Sequence, residues 1–272
     1  MSLTPRPAGL LGDLPGPEVL ATMSEGRVLL QPIGAFEHHG PHLPLCTDSL
    51  VIDAVAQAVV ADHPELEVSL LPTLSYGLSS EHVWAPGTVT MSVTTLLAVL
   101  DDVATGAVRA GAERLALLNG HGGNTHLLRV ACREIRARHG LATFLVHPSL
   151  PPDNGGPPTD PREEGLGIHG GLSETSVVLY LRPDLVDMTK AVRSVPSWVN
   201  EYDTVGFGGT AEFAWLSNDL SPTGVAGDPT LATAEAGKLR FESAVTAVAG
   251  ALTEISAFRF PGGPKGDEWG AE

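Results

Sequence analysis

Short apolar runs alternate with amphipathic segments along most of the 272-residue chain. Residues 27–33 (RVLLQPI), 67–71, 113–118 (ERLALL) and 141–146 are short and apolar and predict strands, those at 27–33 and 113–118 buried. Between them, residues 49–62, 93–110 and 125–139 predict helices, the first with apolar positions at spacings of three and four. A further helix opens near His169, runs to Leu181 and stops before Pro183, because the residue ahead of a proline disfavours helix. A long terminal helix is predicted over 232–257 and a short one over 17–23.

Strands alternating with helices argue for an α/β fold whose mainly parallel sheet is covered on both faces. Residues 76–90 read as a long loop carrying a polar pair, Glu81 and His82, and 190–230 as mixed loop. Residues 147–167 hold too many Pro and Gly for regular structure, which leaves a surface excursion or a lid. No repeat or linker divides the chain. The expected organisation is an N-terminal surface segment (1–24), one domain (25–258) and a disordered tail (259–272).

Charge narrows the function. The net charge of −16, from 32 acidic and 16 basic side chains, would repel phosphate backbones and anionic lipid, so neither nucleic acid nor membrane is an expected partner. The two cysteines, Cys46 and Cys132, show no CxxC spacing, and no disulfide framework or zinc knuckle is indicated. With no signal peptide and no apolar run long enough to span a bilayer, the expected location is the cytoplasm.

The chemistry concentrates in residues 34–48. Glu37, His38, His39, His42 and Asp48 are potential metal ligands in a loop shaped by Gly40, Pro41 and Pro44, directly after a strand. Strand carboxyl ends are where open α/β sheets place their sites. His121 lies in a second such turn, 119–124, and His169 and Glu174 lie in a third segment. Imidazole and carboxylate donors together suit zinc, manganese or iron, whereas calcium would take oxygens alone. Glu37 and His39, two apart in an extended segment, point to one side. Two metal ions sharing a bridging Asp would polarise a carbonyl and acidify a water, which suits amide hydrolysis.

Each residue has a plainer reading. Thr47 or Asp48 could cap the following helix, and Glu174 could be a carboxylate favoured by a helix dipole. The 119–124 turn could simply join strand to helix or bind an anion at the helix N-terminus. His38, His42, His126 and His147 could be surface or satisfied core residues, and Cys46 a small buried hydrophobe.

Three segments, 37–48 (EHHGPHLPLCTD), 119–124 (NGHGGN) and 169–176 (HGGLSETS) followed by LRPDLV, strongly resemble the signatures of the creatininase (creatinine amidohydrolase) family. Residues 224–237 are similar to its C-terminal segment. The resemblance covers about residues 25–245. It implies a three-layer α/β/α fold, hexameric assembly and a binuclear centre. Glu37, Asp48 and His121 would hold one divalent ion, and His39, Asp48 and Glu174 the other. His169 would orient the substrate or handle the leaving-group proton, and Glu174 is counted with it as catalytic.

Creatininase itself carries Tyr and Glu where this chain has Gly122 and Gly123, and Leu172 stands where an acidic residue is common. Those departures argue against creatinine as substrate. The family includes a formylamino-pyrimidine deformylase and the peptidase that trims the mycofactocin precursor peptide, and both resemble this chain in their Gly-Gly second motif. The expectation is an amidohydrolase acting on a small molecule or short peptide by a metal-bound hydroxide, with a non-catalytic metal-binding protein as the rival from another class.

Overall fold

The computed structural model describes residues 9–23, 26–149 and 160–261. Four strands form one parallel sheet in the order β2-β1-β3-β4: β1 (Val28–Ile33), β2 (Val68–Leu70), β3 (Arg114–Asn119) and β4 (Ala142–Val146). The helices are α1 (Gly16–Thr22), α2 (Thr47–Asp62), α3 (Val93–Arg109), α4 (Thr125–His139), α5 (Leu172–Leu181), α6 (Ser217–Leu220) and α7 (Ala234–Ala257).

Period-two alternation on the central strands divides the core. Val28 and Leu30 of β1, with Ala116 and Leu118 of β3, pack against α2 and α7. Leu29, Ile33, Leu115 and Leu117 face α3 and α4 on the other side. Helices therefore cover both faces, and every residue of β1 and β3 is buried. Each fully buried Leu or Ile contributes roughly 1.5–3 kcal/mol relative to an exposed one.

Local chemistry sets the helix ends. The Ser92 hydroxyl accepts the Thr95 N–H at the start of α3, and Thr233 does the same for Ala236 at the start of α7. Gly140, with φ +71°, closes α4 in the left-handed conformation that glycine adopts without strain.

Two close approaches fix the site. Gly34 follows β1 and Gly120 follows β3, and both lie against the start of α2. A β-carbon on Gly34 would come within 2.6 Å of the Ser49 α-carbon, and one on Gly120 within 2.5 Å of the Ile52 β-carbon. Only bare backbone lets α2 come down onto the strand ends, and that contact carries Asp48 to them.

The predicted elements are present with ends displaced by at most three residues. The first long helix begins at Thr47 rather than 49, so neither Thr47 nor Asp48 caps it; Cys46 occupies that position and Asp48 sits inside the first turn. The predicted loop at 76–90 contains a short 3-10 turn, Ser80–His82, and 190–230 contains α6 and several such turns. The excursion or lid falls largely on 150–159, and the expected tail largely on 262–272, outside the described residues, as do 1–8 and 24 of the N-terminal segment. Among the described residues no helix is long and apolar enough to cross a membrane.

Candidate metal centre

Four chain segments converge beyond the carboxyl ends of β1 and β3. The loop after β1 supplies Glu37 and His39, the first turn of α2 supplies Asp48, the turn after β3 supplies His121, and the approach to α5 and its first turn supply His169 and Glu174. All the expected site residues therefore meet. His39 Nε2 lies 3.3 Å from Asp48 Oδ1 and 3.9 Å from Glu37 Oε1. His121 Nε2 lies 3.2 Å from Glu37 Oε2, and its Nδ1 is 3.3 Å from Asp48 Oδ2. Glu174 closes a group with His39 and His169, their donor atoms within 4.8 Å of one another, and its Oε2 accepts the Gly170 N–H at 2.6 Å.

A fifth segment, which sequence reasoning passed over, joins these four. Glu81 and His82, read as a polar pair in a loop, lie inside the cluster: Glu81 Oε1 is 3.3 Å from His121 Nε2, and His82 Nε2 is 3.3 Å from Glu37 Oε1. Their adjacency was the only local signal, and one Glu-His pair without further ligands nearby is too common to stand out.

The electrostatics favour a cation. Four carboxylates, Glu37, Asp48, Glu81 and Glu174, lie with four imidazoles in largely buried surroundings. Burial, followed by the Asp48 charge, pushes the Glu37 carboxyl up to about 8. Burial also raises Glu174, and the Asp48 charge adds to it. Burial alone would raise Asp48, yet His39 and His121 outweigh it and hold this carboxyl well below the ordinary range. Burial opposes the charged form of His39 too, but Asp48, Glu174 and Glu37 carry it up to about 10. Both Glu37 oxygens, His39 Nε2 and Asp48 Oδ2 are buried without a hydrogen-bond partner. Buried carboxylates left in that state are costly, and divalent cations among them would satisfy both charge and lone pairs.

Hydrogen bonds fix which imidazole nitrogen each ring turns to the site. His39 Nδ1 donates to the Glu37 carbonyl at 3.2 Å and turns Nε2 toward Asp48. His169 Nε2 donates to the His38 carbonyl at 2.8 Å and turns Nδ1 toward Glu37 Oε1, 3.8 Å away. A histidine held through one N–H by a main-chain carbonyl while the other nitrogen faces the site is the usual metal-binding arrangement. His82 is held by a side chain instead. Trp84 Nε1–H donates to Ser217 Oγ at 2.7 Å, and that hydroxyl is hydrogen-bonded to His82 Nδ1 at 2.9 Å, which turns Nε2 toward Glu37. Burial keeps His82 down at about 4, so the ring is neutral.

The remaining candidates lie apart from this donor set. His38 Nε2 bonds the Thr223 carbonyl at 2.8 Å and His42 Nε2 the Thr175 hydroxyl at 2.9 Å, so both brace loops. His126 and His147 are exposed. Cys46 is a free, half-buried thiol at the start of α2.

Comparison with known proteins agrees with this geometry. The family model described as creatinine amidohydrolase matches residues 12–252. The mycofactocin precursor peptide peptidase of Mycobacterium ulcerans is 35% identical over 225 residues, covering 80% of this chain and 81% of that protein. The creatinine amidohydrolase of Pseudomonas putida is 31% identical over 261 residues, covering 90% and 96%. A solved structure titled as the manganese form of creatininase superimposes with a TM-score of 0.71 at 28% identity, over 90% of this chain and 98% of that one. With the three-layer fold, the ordered motifs and their convergence in hand, the chain belongs to the creatininase family, hydrolases of carbon–nitrogen amide bonds.

Proposed function

We propose that this cluster holds two divalent metal ions and that the enzyme cleaves an amide bond in a short peptide. The observation that carries the metals is the set of buried, unpartnered donor atoms on Glu37, His39 and Asp48. Glu37, Asp48 and His121 would hold one ion and His39, Asp48 and Glu174 the other, with Asp48 shared. Mixed nitrogen and oxygen donors suit zinc, manganese or iron. Such ions, when bound, polarise a substrate carbonyl and acidify water.

The chain's own groups then position the amide and move protons. His169, kept neutral because burial and the neighbouring His39 and His82 depress it well below the ordinary imidazole value, offers a bare Nδ1 toward the centre. That atom can take the proton of the attacking water and return it to the departing nitrogen. Glu174, anchored on the Gly170 N–H, holds its carboxylate beside His39.

A cavity of about 520 Å³ supports the peptide reading. It opens against Asp48 and Glu174 and is walled by Val51, Val55, Val177 and Phe241, with Arg240 and Ser173 at its polar side. Space of that size accommodates several residues of an extended peptide, more than a single small ring needs. The similarity to the peptidases supports the same substrate class. A small cyclic amide is the second reading, favoured by the similarity to creatinine amidohydrolase over almost its whole length.

Metal-loaded protein offered short peptides and creatinine side by side tests this, with products followed by mass spectrometry. The expected result is release of a peptide fragment. Turnover of creatinine alone would select the second reading, and no turnover of either by protein containing metal would overturn the proposal.

A further inference from the structure

The turn after β3 contains a bare position that its backbone does not require. Gly123 is not among the glycines with positive φ, so a side chain is conformationally allowed there. The obstacle is space. A β-carbon on Gly123 would overlap Glu81 Oε1 and His121 Nε2 and lie 2.7 Å from the Leu78 carbonyl oxygen. The Glu81 carboxylate, from the separate Ser80–His82 turn, fills the volume that a residue 123 side chain would take.

Its position matters to His121. Nε2 of that imidazole is ringed by oxygens: Leu78 O at 3.1 Å, Glu37 Oε2 at 3.2 Å and Glu81 Oε1 at 3.3 Å. The Leu78 contact is that of an N–H donor, because a carbonyl oxygen can only accept. Nε2 therefore carries the hydrogen. Nδ1 is left to face Asp48 Oδ2, 3.3 Å away, a buried atom with no hydrogen-bond partner.

We propose that Glu81 is a positioning residue of the metal centre: with the Leu78 carbonyl it holds the Nε2–H of His121, so that Nδ1 is the nitrogen presented to a divalent cation beside Asp48. Gly123 is bare to admit that carboxylate. This rests on the two-metal reading and deepens it, by assigning a partner outside the donor set and the ligating atom of His121. Carboxylates that hold the distal N–H of a ligating imidazole typically change metal affinity by roughly 10–100-fold when removed.

The test begins with the wild-type protein loaded with zinc and carrying isotope-labelled histidine, read by long-range nitrogen–proton correlation. The expected spectrum has the His121 proton on Nε2 and the metal-induced shift on Nδ1. Metal on Nε2 would overturn the assignment, without any variant having to fold. Zinc affinity is then compared by chelator competition. Glu81→Ala should weaken one site about 10–100-fold and leave the other within a few-fold. Glu81→Gln keeps an acceptor for the N–H and should lose less. Gly123→Ala, pressing on the same carboxylate and ring, should weaken the same site. Unchanged affinity in Glu81→Ala would overturn the proposal, as would Glu81→Gln emptying a site, which would make Glu81 a direct ligand. Failure of the wild-type protein to bind zinc would instead overturn the underlying two-metal reading, and this proposal with it.

Discussion

His169 donates its Nε2–H to the main-chain carbonyl of His38, 2.8 Å away, and so locks the third motif onto the first. The bond fixes ring orientation as well as tautomer. Antiparallel pairing of His169 with Ala226 holds the other side of the segment, so the histidine is braced from two directions before any substrate arrives.

Because His169 faces the centre with a bare nitrogen yet lies outside the two proposed ligand sets, His169→Ala should separate chemistry from metal binding. The expected outcome is a fall in kcat of about 10²–10⁴-fold, the usual contribution of a positioned acid–base group. Metal content measured by elemental analysis should stay at the wild-type value; its loss would make His169 a ligand.

Asp48 stands between His39 and His121, 3.3 Å from each. Asp48→Ala should therefore empty both sites, and elemental analysis after reconstitution should find almost no metal. Retention of one ion would show that Asp48 is not shared.

Metal uptake should release protons. In the metal-free chain Glu37 is raised to about 8 and His39 to about 10, so near neutral pH both hold protons that ligation must displace. Affinity should therefore weaken as pH falls and strengthen as it rises toward 8. Calorimetry at pH near 7 in buffers of different ionisation heat checks this: apparent enthalpies that do not depend on the buffer would contradict it.

Glu163 lines the cavity and braces its wall. Its Oε1 accepts the Leu172 N–H at 2.9 Å and the Asp228 N–H at 2.8 Å, tying the start of α5 to the 227–228 strip. Glu163→Ala leaves both buried donors unpaired, at about 1–3 kcal/mol each. A loss of about 3 kcal/mol in unfolding free energy is expected from denaturant titration, with Glu163→Gln losing less because it retains an acceptor.

Much of this was legible in the sequence for identifiable reasons. RVLLQPI and ERLALL are mainly apolar because β1 and β3 are covered on both faces, so the parallel sheet was legible in their composition. Glu37, His39 and Asp48 stood out because one loop and the helix after it supply all three, and His121 because glycines flank it. Glu81 and His82 were missed because their role depends on a contact from a separate loop, which no local spacing encodes. The helix start at Thr47 was misjudged for a related reason: Asp48 looks like a cap in isolation, and only the approach of α2 to Gly34 and Gly120 turns it into the site.

Three histidines of the centre are oriented by main-chain oxygens, His39 by Glu37, His121 by Leu78 and His169 by His38. A carbonyl group is the same whatever side chain its residue bears. Substitutions at Leu78 or His38 that preserve the path of the chain would leave those anchors intact, so the surrounding loops can diverge in sequence, and with them the substrate, while the geometry of the imidazoles is inherited unchanged.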